Sequence, residues 1–123
     1  MTAAFDPHLT ETIFIPLDIL RTYFDTDKRA LFAQYQMYAV YLLQLWVRNQ
    51  ASLDCDLDRK GLRQSCARVC QNQELRALLA SVPGALPRQV AVAVHAVQQQ
   101  KPGQLYLLIK AWNLYYKLRN GRA

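Results

Sequence analysis

Apolar residues recur along most of this chain at spacings of three and four, the period of a helix with one buried face. The pattern is clearest between residues 27 and 49. There Leu31, Tyr35, Tyr38, Leu42 and Leu45 fall at intervals of four, three, four and three, and Phe32, Ala39, Leu43 and Trp46 widen the stripe from the next row. A stripe this wide predicts a long central helix with neighbours on two sides, N-capped by Thr26 or Asp27 and about 35 Å long at 1.5 Å per residue.

Shorter segments follow the same period. Pro16 suits the first turn of a helix reaching Tyr23, because its missing N–H has no helical partner there. Asp58 is placed to cap a helix running to Gln71 with Leu62, Cys66, Val69 and Cys70 inward, and a short helix from Gln73 to Ser81 presents Leu75, Leu78 and Leu79. Pro83, Gly84 and Pro87 then predict a turn. Residues 88–100 carry two periods at once, since Val90, Val92 and Val94 alternate like a strand while Leu86, Val90, Val94 and Val97 keep helical spacing. The length of the run and the absence of a partner strand favour helix, with Lys101-Pro102-Gly103 read as its stop. A last helix over 104–120 turns Leu105, Leu108, Ile109, Trp112 and Tyr116 to one face and ends before Gly121. Ile13, Phe14 and Ile15 fit strand or helix equally, so residues 1–15 are expected to form a loosely docked arm. The prediction is an all-α, single-domain bundle over residues 1–123, with five or six helices around the long one at 27–49.

The composition agrees with one folded core: 123 residues, 52% apolar and 20% charged, with only four glycines and five prolines. The eighteen uncharged residues between Arg29 and Arg48 raise the question of a membrane span, but Gln34, Gln36 and Gln44 interrupt them, which favours a buried helix. The first residues, MTAAFDPHLTET, hold an early acid and no apolar run, so no secretory leader and a cytoplasmic location are expected.

Charge adds a sharper feature. Residues 1–58 hold eight acids and four bases, whereas residues 59–123 hold eleven bases and one acid, Glu74. Such asymmetry points to an acidic partner, either nucleic acid, an acidic protein surface or, less readily, an anionic membrane. Arg59, Lys60 and Arg63 crowd the first turns of one helix, and Lys110, Lys117, Arg119 and Arg122 fall on the last helix and just beyond it. Guanidinium groups suit phosphate, and Tyr106, Tyr115 and Tyr116 stand beside these charges, placed to stack on bases or to pack.

Catalytic and cofactor patterns are weak by comparison. Asp54, Asp56 and Asp58 have the spacing that opens a calcium loop, but Arg59 stands where its glycine belongs and Ser65 where its bidentate glutamate belongs. Cys66 and Cys70 share a helical face without further ligands at a zinc spacing, and neither His8 nor His95 sits at a position suited to activate a cysteine, so the thiols read as packing groups and no metal or cofactor is expected. The four glycines are isolated and cradle no phosphate. The sequence therefore predicts a non-enzymatic helical module that binds RNA or DNA backbone through Arg59, Lys60, Arg63, Lys110, Lys117, Arg119 and Arg122, as a small subunit of a larger nucleoprotein complex. The alternative is a helical adaptor or oligomerisation module in which Tyr35, Tyr38, Trp46, Trp112, Tyr115 and Tyr116 meet another protein.

Overall fold

The computed structural model describes residues 5–17, 19, 29–53, 55–82 and 84–120, and of residues 29–31 the backbone alone. Its helices are α1 (Leu9–Thr12), α2 (Arg29–Gln50), α3 (Arg59–Cys70), α4 (Gln73–Leu79), α5 (Arg88–Gln98) and α6 (Pro102–Asn120). Residues 15–17 and 19 are also helical, which agrees with the start of the helix expected at Pro16; the remainder of that segment lies outside the described residues, as do the expected caps Thr26 and Asp27. Among the described residues there is no strand, and the chain is an all-α bundle.

The long helix α2 lies against α1, α4, α5 and α6. Helix α6 packs on α2, α3 and α5. Between them the core holds Trp46, Leu43, Leu75, Leu79, Val97, Leu105 and Ile109, all fully buried. Burying a large aliphatic or aromatic side chain contributes about 1.5–3 kcal/mol, so these positions dominate the energetics.

Local signals set the helix ends. Asp58 Oδ1 accepts from the Gly61 N–H at 2.7 Å and caps α3, and Asn72 Oδ1 accepts from the Leu75 N–H at 2.9 Å and caps α4. The seven-residue α4 exposes carbonyls at its C-terminus that have no helical partner. Gln36 on α2 donates to Leu78 O and Ser81 O, and Gln98 on α5 donates to Leu79 O, so two glutamines from neighbouring helices satisfy them. Gln36 therefore interrupts the apolar character of this run for a structural reason.

The helical spacing of Val90, Val94 and Val97 prevails over the strand alternation, because these three are buried while Val92 is exposed. The stop of α5 differs from expectation. Gln100 takes φ +50°, the Gln100 N–H donates to Val97 O at 3.2 Å and the Lys101 N–H donates to Ala96 O at 2.8 Å. This paired closure ends α5 without a glycine. Pro102 and Gly103 are the opening residues of α6 rather than the end of α5, since proline fits a first helical turn.

The arm buries Ile13 and Phe14, and Leu17 of the helical segment that follows is buried in the same core. Trp46 Nε1 donates to Thr10 Oγ1 at 2.9 Å, and the Tyr35 hydroxyl donates to Leu17 O. Tyr35 and Trp46 are thus core residues, 4% and 0% exposed, which corrects their expected place in a protein interface: each ring is buried and its polar atom is used inside the fold.

Candidate nucleic-acid interface

Helix α3 turns Leu62, Ser65, Cys66, Val69 and Cys70 inward. The same period leaves Arg59, Lys60 and Arg63 exposed, and the three line one shallow depression with Asp58, Gln64 and Ala67. Helix α6 packs beside α3 and places Tyr106, 8% exposed, at their junction. Arg63 Cζ lies 4.6 Å from the Tyr106 ring centroid and Lys110 Nζ lies 5.8 Å from it. Two cations distant in sequence therefore share one aromatic ring. A cation near an aromatic face at a surface gains about 0.5–1 kcal/mol, enough to bias two flexible side chains toward one place.

Lys117 follows Lys110 by seven residues, two turns or about 10 Å along α6 on the same side. Arg119 does not join them. Nine residues from Lys110 is half a turn out of phase, and the Arg119 guanidinium instead donates to the Tyr115 hydroxyl at 3.5 Å. Arg122 lies outside the described residues. The expected seven-residue surface thus resolves into Arg59, Lys60 and Arg63 with Lys110 and Lys117, and Arg119 apart from them. Arg68, also on α3, pairs with Glu11 at 3.5 Å and ties the arm to this helix.

The tyrosines divide as well. Tyr106 is covered by the core and its two cations, so its ring presents no open face for a base. Tyr115 is half-exposed, while Trp112 and Tyr116 are partly buried and pack on each other with ring centroids 5.7 Å apart. On α2, Tyr38 stacks on Tyr41 at 6.5 Å and both are at the surface. Trp112 also lines a groove of about 330 Å³ between α2, α5 and α6, together with Val47, Val90 and Ala93. Gln44, Gln89 and Arg48 supply its polar atoms, and no carboxylate, imidazole or thiol faces it.

Among the described residues no three His, Cys, Asp or Glu side chains stand close enough to hold a metal. Cys66 and Cys70 are buried in the core. Burial pushes the Cys66 thiol up to about 12 and the Cys70 thiol to about 11, so both are protonated at neutral pH. Burial also raises Cys55, with Asp56 adding to the effect and Lys110 opposing it. Lys110 thus stands near Cys55, in the loop before α3 that also carries Asp56. Asp54 lies outside the described residues, and the Asp58 carboxylate serves as the cap of α3. Among the described residues no helix is long and apolar enough to cross a membrane.

One feature of α6 escaped the sequence reading. Leu107, Leu114 and Leu118 are exposed on the side opposite its buried Leu105 and Ile109. Their spacing of seven and four is present in the sequence, where the inward stripe by itself already specifies the helix. In comparisons with known proteins, no family model, no curated protein and no solved structure matches this chain.

Proposed function

We propose that this chain is a non-enzymatic helical module that binds the backbone of RNA or DNA, through the surface where α3 and α6 meet. The observation that supports this reading most is the sharing of the Tyr106 ring by Arg63 and Lys110. Nothing in the local sequence of either helix requires those cations to converge, and like charges brought together raise the local potential that a phosphate lowers; of the residues lining the α3 depression only Asp58, engaged as the α3 cap, carries the opposite charge. Lys60, Arg59 and Lys117 extend the same surface. Phosphate contacts of this kind position a strand without reading its bases, so the proposed binding is salt-sensitive and weakly sequence-selective. A place as a small subunit in a larger nucleoprotein complex fits a module of this size.

The test is fluorescence anisotropy with labelled single-stranded RNA, single-stranded DNA and duplex DNA over a salt series. Each phosphate contact contributes about 0.9 to the slope of log affinity against log salt for duplex DNA and about 0.7 for single strands. Arg63→Glu with Lys110→Glu is expected to abolish binding or lower the slope by at least about two contacts, while Arg119→Glu, half a turn away, leaves it near the parent value. Absence of binding at low salt, or an equal loss in both variants, overturns the proposal.

A further inference from the structure

We infer that the outer face of α6 docks an acidic amphipathic helix of a partner protein. The inference does not depend on nucleic-acid binding, because it rests on the exposed apolar row of α6, although the flanking Lys110 and Lys117 also border the proposed nucleic-acid surface. Leu107, Leu114 and Leu118 are 67%, 57% and 58% exposed, and Ala111, also exposed, completes a row at intervals of four, three and four. That is the seam spacing of a helix that packs along another helix. The inner face of α6 already buries Leu105, Tyr106 and Ile109, so the outer row is not needed for the bundle. A solvated helix ordinarily carries polar residues there.

Charge decides what covers the row. Lys110 and Lys117 each directly precede a seam residue, Ala111 and Leu118, and so form one flanking row. The sequence has no carboxylate after Glu74, so α6 carries none of its own to pair with them. A second copy of α6 laid antiparallel would set the lysine row against its own image. Laid parallel, it would set Lys110 against Tyr115. Neither arrangement pairs the charges, whereas a helix with leucine-like seam residues flanked by Asp or Glu pairs both lysines while covering the leucines.

The experiment uses the full chain and a labelled synthetic peptide of about three heptads with Leu at both seam positions and Glu at the flanking positions, beside a counterpart with Lys in place of Glu. The Glu peptide is expected to bind at least about tenfold more tightly than the Lys peptide, and Lys110→Glu with Lys117→Glu is expected to reverse that preference. Leu114→Gln with Leu118→Gln removes Glu-peptide binding while leaving the helical circular dichroism and the nucleic-acid salt slope intact, because both leucines are exposed. Arg63→Glu, on α3, leaves peptide binding unchanged, so failure of this inference and failure of the nucleic-acid reading are distinguishable. Equal affinity for the two peptides, no binding of the Glu peptide, or unaltered binding in the leucine variant overturns the inference. Concentration-dependent dimerisation that the leucine variant abolishes would assign the face to a second copy, and binding to anionic phospholipid vesicles lost in the same variant would assign it to a membrane; either result also overturns it.

Discussion

Replacing Gln100 with glycine is predicted to stabilise the protein, an uncommon direction for a point substitution. Gln100 holds φ +50° because two hydrogen bonds demand it: its own N–H reaches Val97 O and the next N–H reaches Ala96 O. A residue with a Cβ in this left-handed conformation costs about 1–2 kcal/mol. Glycine removes that cost but adds about 0.4–1 kcal/mol of backbone entropy to the unfolded chain. The difference is a net gain of about 0.5–1 kcal/mol, which for a domain of this size raises Tm by about 2–4 °C. Gln99 is the internal control. It is the C-cap of the same helix with φ −91°, where any residue is comfortable, so Gln99→Gly should lower stability by about 0.5–1 kcal/mol. Urea denaturation followed by far-ultraviolet circular dichroism reads both. A neutral or destabilising Gln100→Gly, matched by the same result at Gln99, would refute the account of how α5 ends.

Loss of a cap should act in the ordinary direction: Asp58→Ala and Asn72→Ala each destabilise by about 1 kcal/mol in the same denaturation assay, and Asp58→Asn retains most of the stability. Unchanged midpoints in both alanine variants would show that the two hydrogen bonds add nothing. The buried thiols predict a pH dependence. Folded Cys66 and Cys70 keep their protons to about pH 12 and 11, whereas in the unfolded chain they ionise near the ordinary 9.0, so their contribution is fully present below pH 9 and is lost as pH rises. Each thiol steepens the fall by about 1.4 kcal/mol per pH unit in that window. Cys66→Ala should flatten the slope above pH 9 even though it lowers stability at neutral pH, and coincident slopes would count against burial as the cause. Iodoacetamide should reach the half-buried Cys55 well before Cys66 or Cys70.

Where the sequence reading succeeded, the relevant physics was local. Asp58 before a run with Leu62, Cys66 and Val69 specifies a capped amphipathic helix regardless of what lies beside it. The valines of α5 are ambiguous in isolation, yet the buried set Val90, Val94 and Val97 keeps the helical spacing. The end of α5 was not legible in the sequence, because Pro102 and Gly103 resemble a stop and a left-handed glutamine leaves no mark in composition.

The candidate surfaces show the same boundary. Periodicity alone placed Arg59, Lys60 and Arg63 on the outer face of α3, and the excess of bases after residue 58 was countable from the sequence. Only the packing of α3 on α6 set Arg63 and Lys110 on one ring and left Arg119 on another side. Likewise, Tyr35, Tyr38 and Trp46 belong to one apolar pattern, but Tyr35 and Trp46 are buried while Tyr38 is at the surface beside Tyr41. The physical reason is that hydrophobic spacing describes the faces of one helix at a time. Burial is non-directional, and which face meets which neighbour follows from connection lengths, side-chain volumes and crossing angles summed over the whole chain.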